Sequence, residues 1–225
     1  MAVSRPMITG TRTSPILNGE RRSPSKGYLA AKRMLDVVVS AALLVLLFPL
    51  FVVLALLVKL SSPGPVFYCC DRVGKDGRRF KFIKFRSMYV DADQRLADLV
   101  AKNEKDGPIF KMTNDPRVTK VGRWLRKFSL DELPQLVHVF TGHMSLVGPR
   151  PPLPREVEQY DDYAWQRLTV KPGLTCYWQI CGRSRLTFDE WMALDHKYLD
   201  EMSFWTDLKI LLKTPLSVLR GEGAC

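Results

Sequence analysis

Hydrophobic residues are distributed unevenly along this chain. Residues 37–58 run for 22 positions without a charge, long enough to cross a hydrocarbon core of about 30 Å as a helix. Pro49 lies inside the run, where its missing N–H and its clash with the preceding turn predict a kink. Residues 29–62 therefore read as a membrane anchor, stopped by Ser61-Ser62-Pro63-Gly64-Pro65. Two β-prone runs follow, residues 66–70 and 80–85, around Lys75-Asp76-Gly77. They predict a hairpin with one packed face and one face presenting Lys81 to anions. Residues 91–105 read as an exposed helix, 118–128 and 133–140 as apolar-periodic helices, and 189–219 as one or two amphipathic helices broken near Pro215. The expected class is α+β and mainly helical, with a membrane-embedded helix-break-helix and a domain over residues 63–225.

Charge changes the reading of the anchor. Residues 1–33 hold seven Lys/Arg against Glu20, and residues 59–88 hold eight against Asp71 and Asp76. The positive-inside rule places both flanks in the cytoplasm, which favours a re-entrant helix bent at Pro49 over a spanning one. Residues 1–28, rich in Ser, Thr, Pro, Gly and Arg, read as a disordered basic tail. The apolar run starts too late and is too long for a signal peptide. A net charge of +11 implies an anionic partner: nucleic acid, a phosphate-bearing small molecule or anionic lipid. Five cysteines without a CxxC pair, and three scattered histidines, argue against a disulfide framework and against a zinc site.

The densest chemistry lies in residues 120–135, where Asp131 and Glu132 follow Lys120, Arg123, Arg126 and Lys127. Adjacent carboxylates after a basic helix look like a phosphate site. Ser129-x-x-Glu132 also reads as a capping box, and the two readings are compatible. A helix start keeps Asp131 ionised, and an ionised carboxylate near a cation or a magnesium ion can attack phosphorus. Arg150, between Pro149 and Pro151, reads either as a rigid phosphate clamp or as a solvated arginine in a plain turn. Lys171-Pro172-Gly173 repeats that style, and no P-loop, GxGxxG or HExxH is present. Trp205, in the amphipathic run 204–213, suits either an interfacial helix or a core-facing one.

Taken in order, Lys32-Arg33-Met34-Leu35-Asp36, Lys84-Phe85-Arg86-Ser87-Met88, Asp115-Pro116-Arg117-Val118-Thr119, Ser129-Leu130-Asp131-Glu132-Leu133-Pro134-Gln135, Met144-Ser145-Leu146-Val147-Gly148-Pro149-Arg150-Pro151, Lys171-Pro172-Gly173-Leu174-Thr175 and Asp207-Leu208-Lys209-Ile210-Leu211 form a specific set. The chain closely resembles the bacterial sugar transferases, the monotopic polyprenyl-phosphate phosphoglycosyl transferases, from about residue 32 to residue 219. The resemblance implies transfer of sugar-1-phosphate, glucose or galactose favoured, from a UDP-sugar to undecaprenyl phosphate, opening exopolysaccharide or O-antigen assembly. It implies Asp131 as nucleophile with Glu132 as its partner, Lys84, Arg126 and Arg150 as phosphate or substrate contacts, and magnesium (Mg2+) near Asp131. It also implies the bacterial inner membrane, with membrane lipids as partners, the catalytic domain on the cytosolic face, and no nucleic acid. Longer relatives carry further N-terminal helices, and this chain reads as a minimal catalytic version. Phe48-Pro49 replaces the family's common Ser-Pro at the break, and His143 replaces an acid or other polar residue. The competing readings are a membrane-tethered DNA-binding regulator and a non-catalytic scaffold of a glycan assembly complex; homo-oligomerisation is left open.

Overall fold

The computed structural model describes residues 24–104, 110, 112–182 and 186–220; the expected tail lies mostly outside them, and its last residues already belong to the first helix. The apolar run folds as α1 (Lys26–Leu46) and α2 (Phe48–Ser61), bent by 63°. The break falls at Leu47 rather than at Pro49, which occupies the first turn of α2. A first-turn N–H has no acceptor within its helix, so proline costs least there and the chain breaks just ahead of it. Among the described residues no single helix is long and apolar enough to cross a membrane, whereas the bent pair meets both requirements together.

The sidedness of α1 is inverted. Lys32, Asp36 and Ser40 are buried, while Val38, Val45 and Leu46 are exposed. Spaced four apart, the three polar residues share one face; Lys32 and Asp36 fasten the helix to the rest of the chain, while Ser40 donates back to the Asp36 carbonyl of its own helix. Lys32 Nζ meets Asp207 at 2.7 Å and Tyr198 Oη at 3.2 Å. Asp36 Oδ1 accepts from Ser145 Oγ at 3.0 Å and from the Leu146 N–H at 2.8 Å. Helix α2 buries Leu54 and Val58 against Phe85 and Leu125 and exposes Phe48, Val53, Leu56 and Leu60. Arg86 closes its C-terminal end, donating to the Val58 carbonyl at 3.4 Å and to those of Ser62 and Pro63, just past the helix, at 2.7 and 2.6 Å.

The expected hairpin forms from β1 (Phe67–Val73) and β2 (Arg79–Phe85), with Asp76 left-handed in the turn. Residues 94–102 of the next segment form a 3-10 helix, Gln94–Lys102. Helix α3 (Lys120–Lys127) is capped by Thr119 and packs so closely on Ser87 that a Cβ at Gly122 would lie 1.9 Å from the Ser87 oxygen. A 3-10 turn, Leu130–Gln135, leads into α4 (Leu136–Thr141), which ends at the left-handed Gly142. Strand β3 (Ser145–Val147), absent from the sequence reading, pairs in parallel with β4 (Gly173–Thr175), which lies in a stretch that reads as a loop or short strand. Of the short helices, α7 (Tyr177–Ile180) packs on β4, while α5 (Pro154–Val157) and α6 (Asp162–Trp165) join a second cluster with Val73 and Trp191. The C-terminal pair is α8 (Phe188–Glu201) and α9 (Phe204–Arg220). Their break lies at Met202–Ser203, not near Pro215: Ser203 accepts from the Thr206 N–H and starts a new helix, which runs through the exposed Pro215. The fold is mostly helical with small two-stranded sheets. A core of Phe82, Leu136, Met144, Leu146, Tyr198 and Ile210 ties hairpin, α4, β3 and the C-terminal helices together.

Candidate active site

Strand β2 and the 3-10 turn Leu130–Gln135 pack against each other, bringing Lys84 beside Asp131 and Glu132. Ser129 adopts a left-handed conformation, φ 52°, between α3 and that turn, at a cost of about 1–2 kcal/mol for a residue with a Cβ. The capping box expected from Ser129 and Glu132 does not form: Ser129 makes no side-chain cap bond. The left-handed backbone reorients its hydroxyl, which receives Gln179 Nε2 at 3.5 Å. Glu132, freed from capping, instead accepts from Arg150 Nη1 at 2.9 Å.

The two adjacent carboxylates are held in different states. Asp131 is 5% exposed. Burial raises its pKa, Lys84 opposes the rise, and the Glu132 charge adds to it. No hydrogen bond or ion pair to its carboxylate occurs among the described residues. Burial also pushes Glu132 up, but the charge and hydrogen bond of Arg150, with Lys84 and Arg72, outweigh it and hold Glu132 below its usual value. Lys84 is half-buried, and burial together with the nearby Arg126 lowers its pKa to about 8. Arg126, in the last turn of α3, acts on Lys84 and Asp131 through its charge.

Arg150 stands in a built turn rather than a solvated one. The Gly148 N–H donates to Thr175 O at 3.0 Å, and Gly173 N–H to Pro149 O at 2.9 Å. This approach needs glycine: a Cβ at Gly173 would sit 2.0 Å from the Gly148 nitrogen. The guanidinium lies over Trp178, 5.7 Å from its centroid, and Arg72 donates to the next carbonyl, Pro151 O, at 2.9 Å. Lys84, Arg126, Asp131, Glu132 and Arg150 thus share one cluster, with Glu132, Gln135, Arg150, Trp178 and Gln179 along a cleft. Pro49 is apart from it, in α2. Lys81 faces away and pairs with Asp71 at 2.9 Å.

Sequence reasoning missed Arg72, Arg167 and Asp195. Strand alternation carries a signal for Arg72, because the register puts Arg72 opposite Phe80 and Tyr68 opposite Lys84 on one face. The buried pair Arg167–Asp195 had none. Among the described residues no group of three or more His, Cys, Asp or Glu could hold a metal. Magnesium needs no such cage, since it binds through one or two carboxylates together with substrate phosphates and water. The unbonded carboxylate of Asp131 fits that role.

A family model described as Bacterial sugar transferase matches residues 27–221. The chain is 47% identical over 199 residues to the "Galactosyl transferase CpsE" of Streptococcus agalactiae serotype III (strain NEM316), covering 88% of this chain and 44% of that one. It is 43% identical over 200 residues to the "Undecaprenyl-phosphate galactose phosphotransferase" of Salmonella typhimurium, covering 86% and 41%. It is 43% identical over 198 residues to the "Exopolysaccharide production protein ExoY" of Rhizobium meliloti, covering 86% and 88%. The chain thus spans less than half the length of the first two relatives and most of the third. With the match running from the first turn of α1 to the end of α9, and with the dyad and its cations inside it, the chain belongs to the bacterial sugar transferase family.

Proposed function

We propose that the chain transfers the phosphosugar of a UDP-sugar, glucose or galactose, to undecaprenyl phosphate and so opens exopolysaccharide or O-antigen assembly. The observation that carries this reading is a buried, unbonded Asp131 next to a Glu132 fixed by Arg150, in the field of Lys84, Arg72 and Arg126. An Asp131 oxygen bonds to the β-phosphorus of the UDP-sugar, the bond from that phosphorus to the bridging oxygen breaks, and UMP leaves with the electron pair. A phosphate oxygen of undecaprenyl phosphate then attacks the same phosphorus. The bond to Asp131 breaks, the carboxylate is restored, and the product is the undecaprenyl diphosphate sugar. Lys84, Arg126 and Arg150 hold phosphate oxygens through both displacements. Magnesium, held by Asp131 with the diphosphate, would neutralise phosphate charge. The printed names of the relatives support galactose, the undecaprenyl acceptor and exopolysaccharide production. Neither the DNA-binding regulator nor the scaffold gains support from them.

The same reading places α1 and α2 in the bacterial inner membrane as a re-entrant pair, with residues 63–225 as a cytosolic catalytic domain resting on lipid. Its supports are the inverted sidedness of α1, the basic flanks, and the exposed Trp205, Leu212, Leu216 and Leu219 of α9. The function is tested by incubating the full chain with UDP-sugars, undecaprenyl phosphate and magnesium and measuring UMP. Release by the wild type, its loss in Asp131→Asn and a phosphosugar trapped on Asp131 by mass spectrometry are expected. Full activity of Asp131→Asn would overturn the assignment.

A further inference from the structure

Arg150 is gripped by a closed ring of side chains, whose far side holds a charged pair that the proposed chemistry does not use. Its guanidinium lies over Trp178 at 5.7 Å. Trp178 stacks on Trp191, centroids 5.2 Å apart and planes 30° apart. Trp191 in turn carries the Arg167 guanidinium at 4.8 Å. Arg167 closes the ring by donating from Nη2 to the Arg150 carbonyl at 2.9 Å. Its side chain is 0% exposed; Nη1 donates to Tyr160 Oη at 2.7 Å, and Asp195 Oδ2 lies 2.7 Å from Nη2 at 1% exposure. Nη2 thus serves the Arg150 carbonyl while Asp195 compensates the guanidinium charge.

A fully buried ion pair is a poor stability device, because desolvation offsets much of its attraction and apolar residues of similar volume often serve as well. What apolar residues would not supply is a charge-assisted donor on the Arg150 backbone and a cation on the outer face of a tryptophan pair. We propose that Arg167, held by Asp195, is a positioning residue: it fixes the backbone and ring support of Arg150, and through Arg150 the Glu132 carboxylate beside Asp131. The inference rests on the transferase reading for its catalytic consequence, but the geometry it assigns can be measured without turnover.

The test compares Arg167→Lys, Arg150→Ala and the double variant in the full chain. Loss of placement of a catalytic contact costs about 10- to 100-fold in rate, so Arg167→Lys is expected to lower kcat by that factor with KM changed less than about 3-fold. In the Arg150→Ala background the same change is expected to cost less than about 2-fold, because the group it positions is gone. Equal factors in both backgrounds overturn the proposal. Should Arg167→Lys fail to fold, Trp191→Phe, which thins the stack without removing a charge, carries the same expectations. A readout independent of activity is the Nε–H NMR resonance of Arg150, assigned by its loss in Arg150→Lys. Ordered in the wild type, it should broaden or average in the Arg167 and Trp191 variants, and an unchanged resonance overturns the proposal. A wild type without UMP release defeats the transferase reading alone, and the resonance then decides whether Arg167 positions Arg150.

Discussion

Asp131 and Glu132 differ by one methylene and one position, yet their surroundings drive their acidities in opposite directions, up for Asp131 through burial and down for Glu132 chiefly through Arg150. In the proposed reaction the free carboxylate is the nucleophile and the paired one shapes the field around it. Removing the nucleophile in Asp131→Asn should lower UMP release by at least about 10³-fold, roughly 4 kcal/mol of barrier at 1.36 kcal/mol per decade. Lys84 makes the pH dependence predictable. Its pKa of about 8 means that the ammonium is present below that pH and lost as pH rises through it. Since that charge opposes the rise of the Asp131 pKa and lies where phosphate would bind, kcat/KM should fall on the alkaline side of about pH 8. Lys84→Arg, which keeps its charge at any accessible pH, should move that limb upward. A profile with the same alkaline limb in both proteins would separate Lys84 from the reaction.

At the scale of elements, the Lys32–Asp36 motif of α1 acts as a fastener. Lys32 and Asp36 tie α1 to α9 and β3, and β3 leads directly into Gly148-Pro149-Arg150. Asp36→Ala leaves the Leu146 N–H and Ser145 hydroxyl without their acceptor, a loss of about 1–3 kcal/mol. It should lower the melting temperature and, because β3 leads into the turn that holds Arg150, reduce activity more than an equally destabilising change elsewhere. Gly122 is the second sensitive position. A Cβ there would meet the Ser87 carbonyl, which is backbone and cannot swing aside. Gly122→Ala must push α3 from the strand end, at about 1–3 kcal/mol for overpacking, and should displace Arg126 from the dyad. A melting temperature equal to that of the wild type would show that the contact is relieved at no cost.

For the whole molecule the question is how the proposed site for a soluble nucleotide sugar would also meet a lipid. In the proposed re-entrant arrangement α1 and α2 both turn apolar side chains outward; α1 directs polar ties inward at Lys32 and Asp36, and α2 packs Leu54 and Val58 on the core. Cysteines placed one at a time by Gly27→Cys and Ser61→Cys in a cysteine-free background should both react with a membrane-impermeant maleimide only from the cytosolic side. Labelling at Gly27→Cys from the outer face would replace the re-entrant pair by a spanning one. Local signals in the chain were strong enough to predict several of these features. The uncharged run, Pro49 and the basic flanks predicted a bent pair, strand-prone runs about Lys75-Asp76-Gly77 predicted the hairpin, and the motif order pointed to Asp131, Glu132, Lys84, Arg126 and Arg150. The bent pair and the hairpin depend on residues adjacent in sequence, where propensity, solvation and turn chemistry act directly, whereas the site residues rested on the family resemblance. Other features depend on residues far apart. The parallel pairing of β3 with β4 joins Ser145 to Gly173, and Arg167 with Asp195 reaches Arg150 across three elements. Even Glu132 was ambiguous in sequence, because Ser129-x-x-Glu132 satisfies a capping pattern and only Arg150, 18 residues away, decides where that carboxylate turns. The sequence alone determined which groups are available for chemistry. Tertiary structure decided which of two adjacent carboxylates is left free to react, because burial and the placement of cations are properties of the packed chain.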